Sequence, residues 1–146
     1  MIQPQPAWVA NVLAGTCTID WNNDTIMFGL LADTYEYREE DTTWASVSSH
    51  EVVGEGYTSG GQVIDGIAVV EKEETIHIYG SNLVWQKSEN GFSAAYGVLY
   101  HQSTGGILGI VDFCKQGTPV TRNNYEHDLI LKWNNDGIFS APKIEE

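Results

Sequence analysis

Four histidines, His50, His77, His101 and His127, two cysteines, Cys17 and Cys114, and twenty carboxylates carry the metal-binding and proton-transfer chemistry of this chain. A transition-metal site draws its nitrogen and sulfur ligands from short spacings such as HxxxH or CxxC, with a second cluster elsewhere. Here consecutive histidines stand 27, 24 and 26 residues apart, and the cysteines match no CxxC spacing. The histidines read as isolated residues on strand faces or in loops. The cysteines read as two reduced, buried thiols, with a single disulfide left open because sequence does not give their separation. Glu36, Glu39, Glu40 and Asp41, and again Glu71, Glu73 and Glu74, offer oxygens of the kind calcium takes. Neither cluster follows the D-x-D-x-D-G loop that places oxygens around the ion, and both read as solvated charged turns.

Nucleophilic hydrolysis needs a strained turn such as G-x-S-x-G, and Gly56-Tyr57-Thr58-Ser59-Gly60-Gly61 misses both that spacing and the G-x-x-x-x-G-K phosphate loop. Gly54-Glu55-Gly56 lacks the third glycine and the following helix of a dinucleotide fingerprint. Among the carboxylates no spacing singles out a glycosidase pair. The expectation is a protein that is not an enzyme and holds no metal or cofactor. Binding through aromatic rings is the chemistry left. Trp21, Trp85 and Trp133 sit beside apolar strand residues and read as core. Trp44, between the acidic run and Val47, is the candidate exposed anchor, and with Tyr35 and Tyr37 it would stack on a sugar or dock into a protein pocket. Tyr57, in the glycine-punctuated segment, completes the candidate interface set.

The elements that position these residues are mostly strands. Asp24 to Tyr35 is strongly apolar and suits a strand buried on both faces. Tyr35 to Ser49 reads as an exposed loop with one helical turn near Trp44 to Val47. His50 to Tyr57 reads as a short strand, with Gly54, Gly56, Gly60 and Gly61 punctuating a turn. Val63 to Val70 and Thr75 to Tyr79 form a hairpin joined by Glu71 to Glu74, and Leu83 to Gln86 is a further strand. Phe92 to His101, Ile107 to Phe113 and Asp128 to Trp133, separated by turn residues, read as adjacent antiparallel strands. Pro6 starts a short helix with Trp8, Val9, Val12 and Leu13 on one face, stopped by Gly15. About eight strands and one N-terminal helix predict a mainly β chain, a single-domain antiparallel β-sandwich or barrel over residues 1–146. The echo of Trp21-Asn22-Asn23-Asp24 in Trp133-Asn134-Asn135-Asp136 reads as repeated turn chemistry.

Composition bounds the partners. Twenty acidic against seven basic residues give a net charge of −13, which opposes binding to nucleic acid or to an anionic membrane. It favours a partner that is neutral or carries basic patches. Met1 to Pro6 has no basic residue and no apolar core of signal-peptide length, so synthesis and folding in a cytoplasm are expected.

Several segments together resemble a family of small virion structural proteins of tailed bacteriophages. The family opens with a short helix ending in Gly, an acidic turn and a strand of the type DTIKVALL. Trp8 to Gly15 and Asp24 to Leu31 follow that order here. Its V-S-S-x-E-V-x-G-x-G-Y-T-x-G-G block is matched by Val47 to Gly61, VSSHEVVGEGYTSGG. Its A-x-Y-x-V-L-Y and G-x-I-D-F strands are matched by Ala94 to Tyr100 and Gly109 to Phe113, and its closing W-x-x-x-G-I-F by Trp133 to Phe139. The similarity covers residues 7–140. Cys17 and Cys114 lie outside the pattern, and the loop from Ser103 to Gly106 is shorter than the family's Asp- and Pro-containing one.

The resemblance implies a non-catalytic particle component made in a bacterial host. The expected role is a capsid decoration or cement protein bridging subunits of the major capsid protein, itself a homo-oligomer, with a trimer expected from the symmetry axes of capsids. A tail, neck or fibre-adaptor component is the alternative in the same class. A carbohydrate-binding module using Trp44, Tyr35 and Tyr37 is the alternative from another.

Overall fold

The computed structural model describes residues 2–4, 20–21, 23–73, 75–113, 122–133 and 137–142, with backbone alone for 2–4, 72, 76 and 139–142. The expected helix from Pro6 to Gly15 and both cysteines lie outside the described residues. The strands are β1 (Ile2–Pro4), β2 (Ile26–Leu31), β3 (Gln62–Val63), β4 (Ala68–Lys72), β5 (Thr75–Tyr79) and β6 (Leu83–Trp85). They continue with β7 (Ser93–Ala94), β8 (Tyr96–His101), β9 (Ile107–Asp112), β10 (Arg122–Asn123), β11 (Leu129–Leu131) and β12 (Phe139–Pro142). A five-stranded sheet runs β1-β9-β8-β2-β3, a three-stranded sheet β12-β5-β4, and two strand pairs are β10-β7 and β11-β6. Each pairing is antiparallel. Among the described residues the large sheet ends at β1 and β3 and does not close, so of the two expected architectures the sandwich-like one is found there and the barrel is not.

Ile26 to Leu31 is buried along its whole length, as its unbroken apolar run requires. Its odd and even residues enter two cores. Ile26, Phe28 and Leu30, with Leu99, Leu108 and Val111, face Leu83, Trp85, Phe92 and Ile138 from the smaller sheets and the segments beside them. Met27 and Leu31, with Val98, Tyr100, Ile107 and Ile110, face the 35–50 segment through Tyr35, Trp44 and Val47. Ile107 and Ile110 reach the same core although three residues apart. The register shift between Leu99 and Tyr100 pairs Tyr100 with Ile107 and Leu99 with Gly109, which leaves Leu108 as the extra residue, pointing to the other face.

Four expectations change. His50 to Tyr57 is not a strand: a 3₁₀ turn at Ser48–His50 leads into one isolated bridge, Leu31 to Glu51, before Gly54 and Gly56 turn the chain away. Val63 to Val70 divides, because Val63 pairs with Met27 while the hairpin strand begins at Ala68. Phe92 to His101 divides at Ala95 into β7 and β8. Of the three C-terminal runs only β8 and β9 are neighbours; Leu129–Leu131 pairs with β6 in another sheet. The helical turn at Trp44–Val47 lies where it was expected.

Candidate functional site

Strand β3 pairs only with Met27 and Phe28, so the rest of the β2 edge needs other partners. The 50–61 loop supplies them. The Leu30 N–H donates to the Tyr57 phenol oxygen at 3.1 Å, the Leu30 carbonyl accepts from Val52 N–H at 3.1 Å, and Ala32 N–H donates to the His50 carbonyl at 2.8 Å. Tyr57 thus stands in for a strand carbonyl. Its own hydroxyl donates to Glu51 Oε2 at 2.6 Å, and Glu51 also accepts from Ser59 Oγ at 3.1 Å and Gly60 N–H at 2.7 Å. From the far face of the sheet, Tyr100 donates to the Gly60 carbonyl at 2.5 Å. Gly61, at φ +89°, lies so close to the Phe28 carbonyl that any side chain would collide with it.

Burial, then the hydrogen bond to Glu51, raises the Tyr57 phenol well above the ordinary tyrosine value. Burial, with the Glu51 charge second, raises Tyr100 to about 12. Both phenols therefore stay protonated through physiological pH and act as fixed donors. The residues of the E-V-x-G-x-G-Y-T-x-G-G block that make these contacts form a clamp on the β2 edge.

A second clamp centres on Asn124, which is fully buried. Its Nδ2 donates to the Glu55 carbonyl at 3.0 Å and the Gln86 carbonyl at 2.7 Å, and its Oδ1 accepts from Phe92 N–H at 2.9 Å. One amide side chain thereby joins three segments distant in sequence, and nothing in the spacing around Asn124 signals it.

The third cluster has the composition of an acid–histidine–hydroxyl array. The sequence reading treats His101 as isolated, but the structure buries it with Nε2 2.8 Å from Asp24 Oδ2 and Nδ1 2.8 Å from Thr104 Oγ1. Ser103 Oγ is 3.4 Å from Nε2. Thr104 Oγ1 accepts from Gly106 N–H at 3.2 Å, and Gly105 N–H donates to the His101 carbonyl at 2.8 Å. Those glycine N–H groups hold the hairpin turn and do not point to a developing oxyanion. The array fastens the β8–β9 turn to the start of β2. The Asp24 carboxyl is held below its ordinary value, first because Asp20 N–H donates to it at 2.9 Å and then because of His101. The β2–β8 register, Ile26 opposite His101, brings the pair together.

The four candidate interface residues separate. Tyr35 is only 4% exposed and donates to Asp41 Oδ2 at 3.1 Å, so its ring belongs to a core and not to a stacking surface. Asp41, expected on a solvated turn, is buried with it, while Glu36, Glu39 and Glu40 are exposed. Trp44 is half-buried, stacked on Tyr100 with centroids 4.6 Å apart and planes 9° apart, so one ring face is already occupied. Tyr57 is half-buried in the Glu51 clamp. Tyr37 alone of the four is exposed. Exposed apolar residues outside the aromatic set include Val53, Val84 and Ile130.

Comparison with protein-family models, with curated proteins and with solved structures finds no match for this chain. Among the described residues no helix is long and apolar enough to cross a membrane.

Proposed function

We propose that this protein is a structural component of a tailed-bacteriophage particle, a decoration or cement protein on the outer face of the head that bridges neighbouring capsid subunits. The observation that carries the reading is the role of the segment with the fullest resemblance to that family. Glu51, Tyr57, Gly60 and Gly61 hold the 51–61 loop against β2 and β8. The resemblance therefore rests on residues that build a scaffold. A net charge of −13 opposes contact with packaged DNA and suits the outer side of a shell. The partner is the major capsid protein or another virion protein offering neutral or basic docking surface, and copies of the chain assemble as a small oligomer.

Electron microscopy of intact particles is the direct test, with density for this chain expected on the head exterior. Particles lacking the protein should release DNA at a lower temperature than complete ones. Intact heads beside damaged tails would move the protein to the tail or neck. Saturable quenching of tryptophan fluorescence by a glycan would replace the structural reading with sugar binding.

A further inference from the structure

Strands β6 and β11 make a two-stranded sheet with unlike faces. Leu83 and Trp85 are buried and Leu129 and Leu131 pack against the same core, whereas Val84 between the first two is 46% exposed and Ile130 between the others is 50% exposed. The register sets Ile130 directly opposite Val84, so the two form one apolar centre on the outer face. The flanking residues continue the alternation. Asp128 and Lys132 stand on either side of Ile130, Asn82 and Gln86 on either side of Val84, and all four are exposed.

The order Asp128, Ile130, Lys132 is complementary to its own reverse. A second copy can be turned face to face about a two-fold axis that lies between the faces at right angles to the strands. β11 then runs antiparallel over its counterpart, Ile130 meets Ile130, Val84 meets Val84, and each Lys132 meets Asp128 of the other copy. Asn82 meets Gln86 in the same way. An axis parallel to the strands would instead lay β11 over β6 of the other copy, setting Asp128 against Gln86 and Lys132 against Asn82, so the perpendicular axis is the one that pairs opposite charges. We infer that the outer face of the β6–β11 sheet is a two-fold self-association surface that docks a second copy of this chain.

A persistent interface involves about 20–30 residues a side. This face is far smaller, and two copies at −13 each repel one another. The contact is therefore weak in dilute solution and strengthens where copies are held side by side on a larger assembly. It does not depend on the virion reading and is a pairwise contact, separate from any three-fold one.

Sedimentation velocity on the intact chain, from about 10 µM to about 1 mM, tests it. The expected result is a reversible monomer–dimer equilibrium that weakens about tenfold or more in Lys132→Asp and is lost in Ile130→Asp. Asp128→Lys should also weaken it, although that change lowers the net charge and would strengthen any association limited by general repulsion. Mixing Asp128→Lys with Lys132→Asp should restore dimers, because an all-basic face then meets an all-acidic one. Asp128 Oδ1 also accepts from Lys87 N–H at 2.7 Å, so circular dichroism checks the fold of each variant, and Lys132→Asp carries the test if Asp128→Lys unfolds. A chain that stays monomeric at about 1 mM, or an oligomer indifferent to Ile130→Asp and Lys132→Asp, overturns the inference.

Discussion

On one face of β2 and β8 the Phe28 ring lies over Gly97, and on the other the Trp44 ring lies over Gly29. In both places the glycine leaves room on a crowded sheet for an aromatic ring from a neighbouring element. The covers differ. Phe28 is fully buried and packs edge-on against Trp133 at 5.6 Å and tilted against Trp85 at 6.3 Å, under strands and chain that close over it. Trp44 stacks on Tyr100 but stays partly open to water, on a single helical turn. A ring between packed strands is held on all sides, whereas a ring on a loop is held from below. The sandwiched face should therefore carry most of the stability, and the loop-covered face should be the one that yields.

The largest test truncates both rings. Phe28→Ala removes a fully buried ring and should destabilise by about 3–5 kcal/mol in urea unfolding. Trp44→Ala, whose ring is only partly covered, should cost about 2 kcal/mol. Equal losses would break the distinction between the faces.

Filling the glycines sharpens it. A side chain at Gly97 strikes the Phe28 ring, which has no free direction, so Gly97→Ala should destabilise by about 1–3 kcal/mol. At Gly29 the obstacle is the far edge of Trp44, which can swing outward, so Gly29→Ala should cost less than about 1 kcal/mol. The same substitution should also shift tryptophan fluorescence toward the red as the ring meets more water.

The edge between the faces gives a smaller effect. Tyr57→Phe leaves Leu30 N–H without its acceptor and removes one donor from Glu51, and should cost about 1–2 kcal/mol. Hydrogen exchange at the Leu30 amide should accelerate while the β8–β9 amides stay protected. Uniform acceleration across the sheet would mean that the clamp holds the whole fold and not one edge.

These regions were unequally legible in the sequence. Ile26 to Leu31 and Ile107 to Val111 announce themselves because continuous burial demands continuous apolar character. The helical turn at Trp44 to Val47 and the exposure of most of the loop before it are legible, but the burial of Tyr35 and Asp41 is not, since it rests on a hydrogen bond between them that composition cannot show. β3, β7 and β10 are two residues long and leave no periodic trace. Asn124 joins carbonyls 69 and 38 residues away. Contacts of that kind follow from topology, and His101 with Asp24, 77 residues apart, needed the β2–β8 register before it could be seen.

The smallest effect lies where β2 begins and β8 ends, beyond both covers. Asp24 accepts from Asp20 N–H and faces His101 Nε2, and these contacts favour its ionised form in the folded chain. The unfolded chain takes up this proton at higher pH than the folded one does. The contribution to stability is therefore complete above the ordinary carboxylate value, about pH 4, and is lost as pH falls through the lower folded value. Asp24→Asn removes the titrating group, so melting temperatures of wild type and variant should differ above about pH 5 and converge toward about pH 2. A gap independent of pH would assign the role of Asp24 to its shape in the 20–24 turn and not to its charge. Melting of Phe28→Ala relative to wild type should show no such convergence, because the sandwiched face is held by packing that pH does not touch.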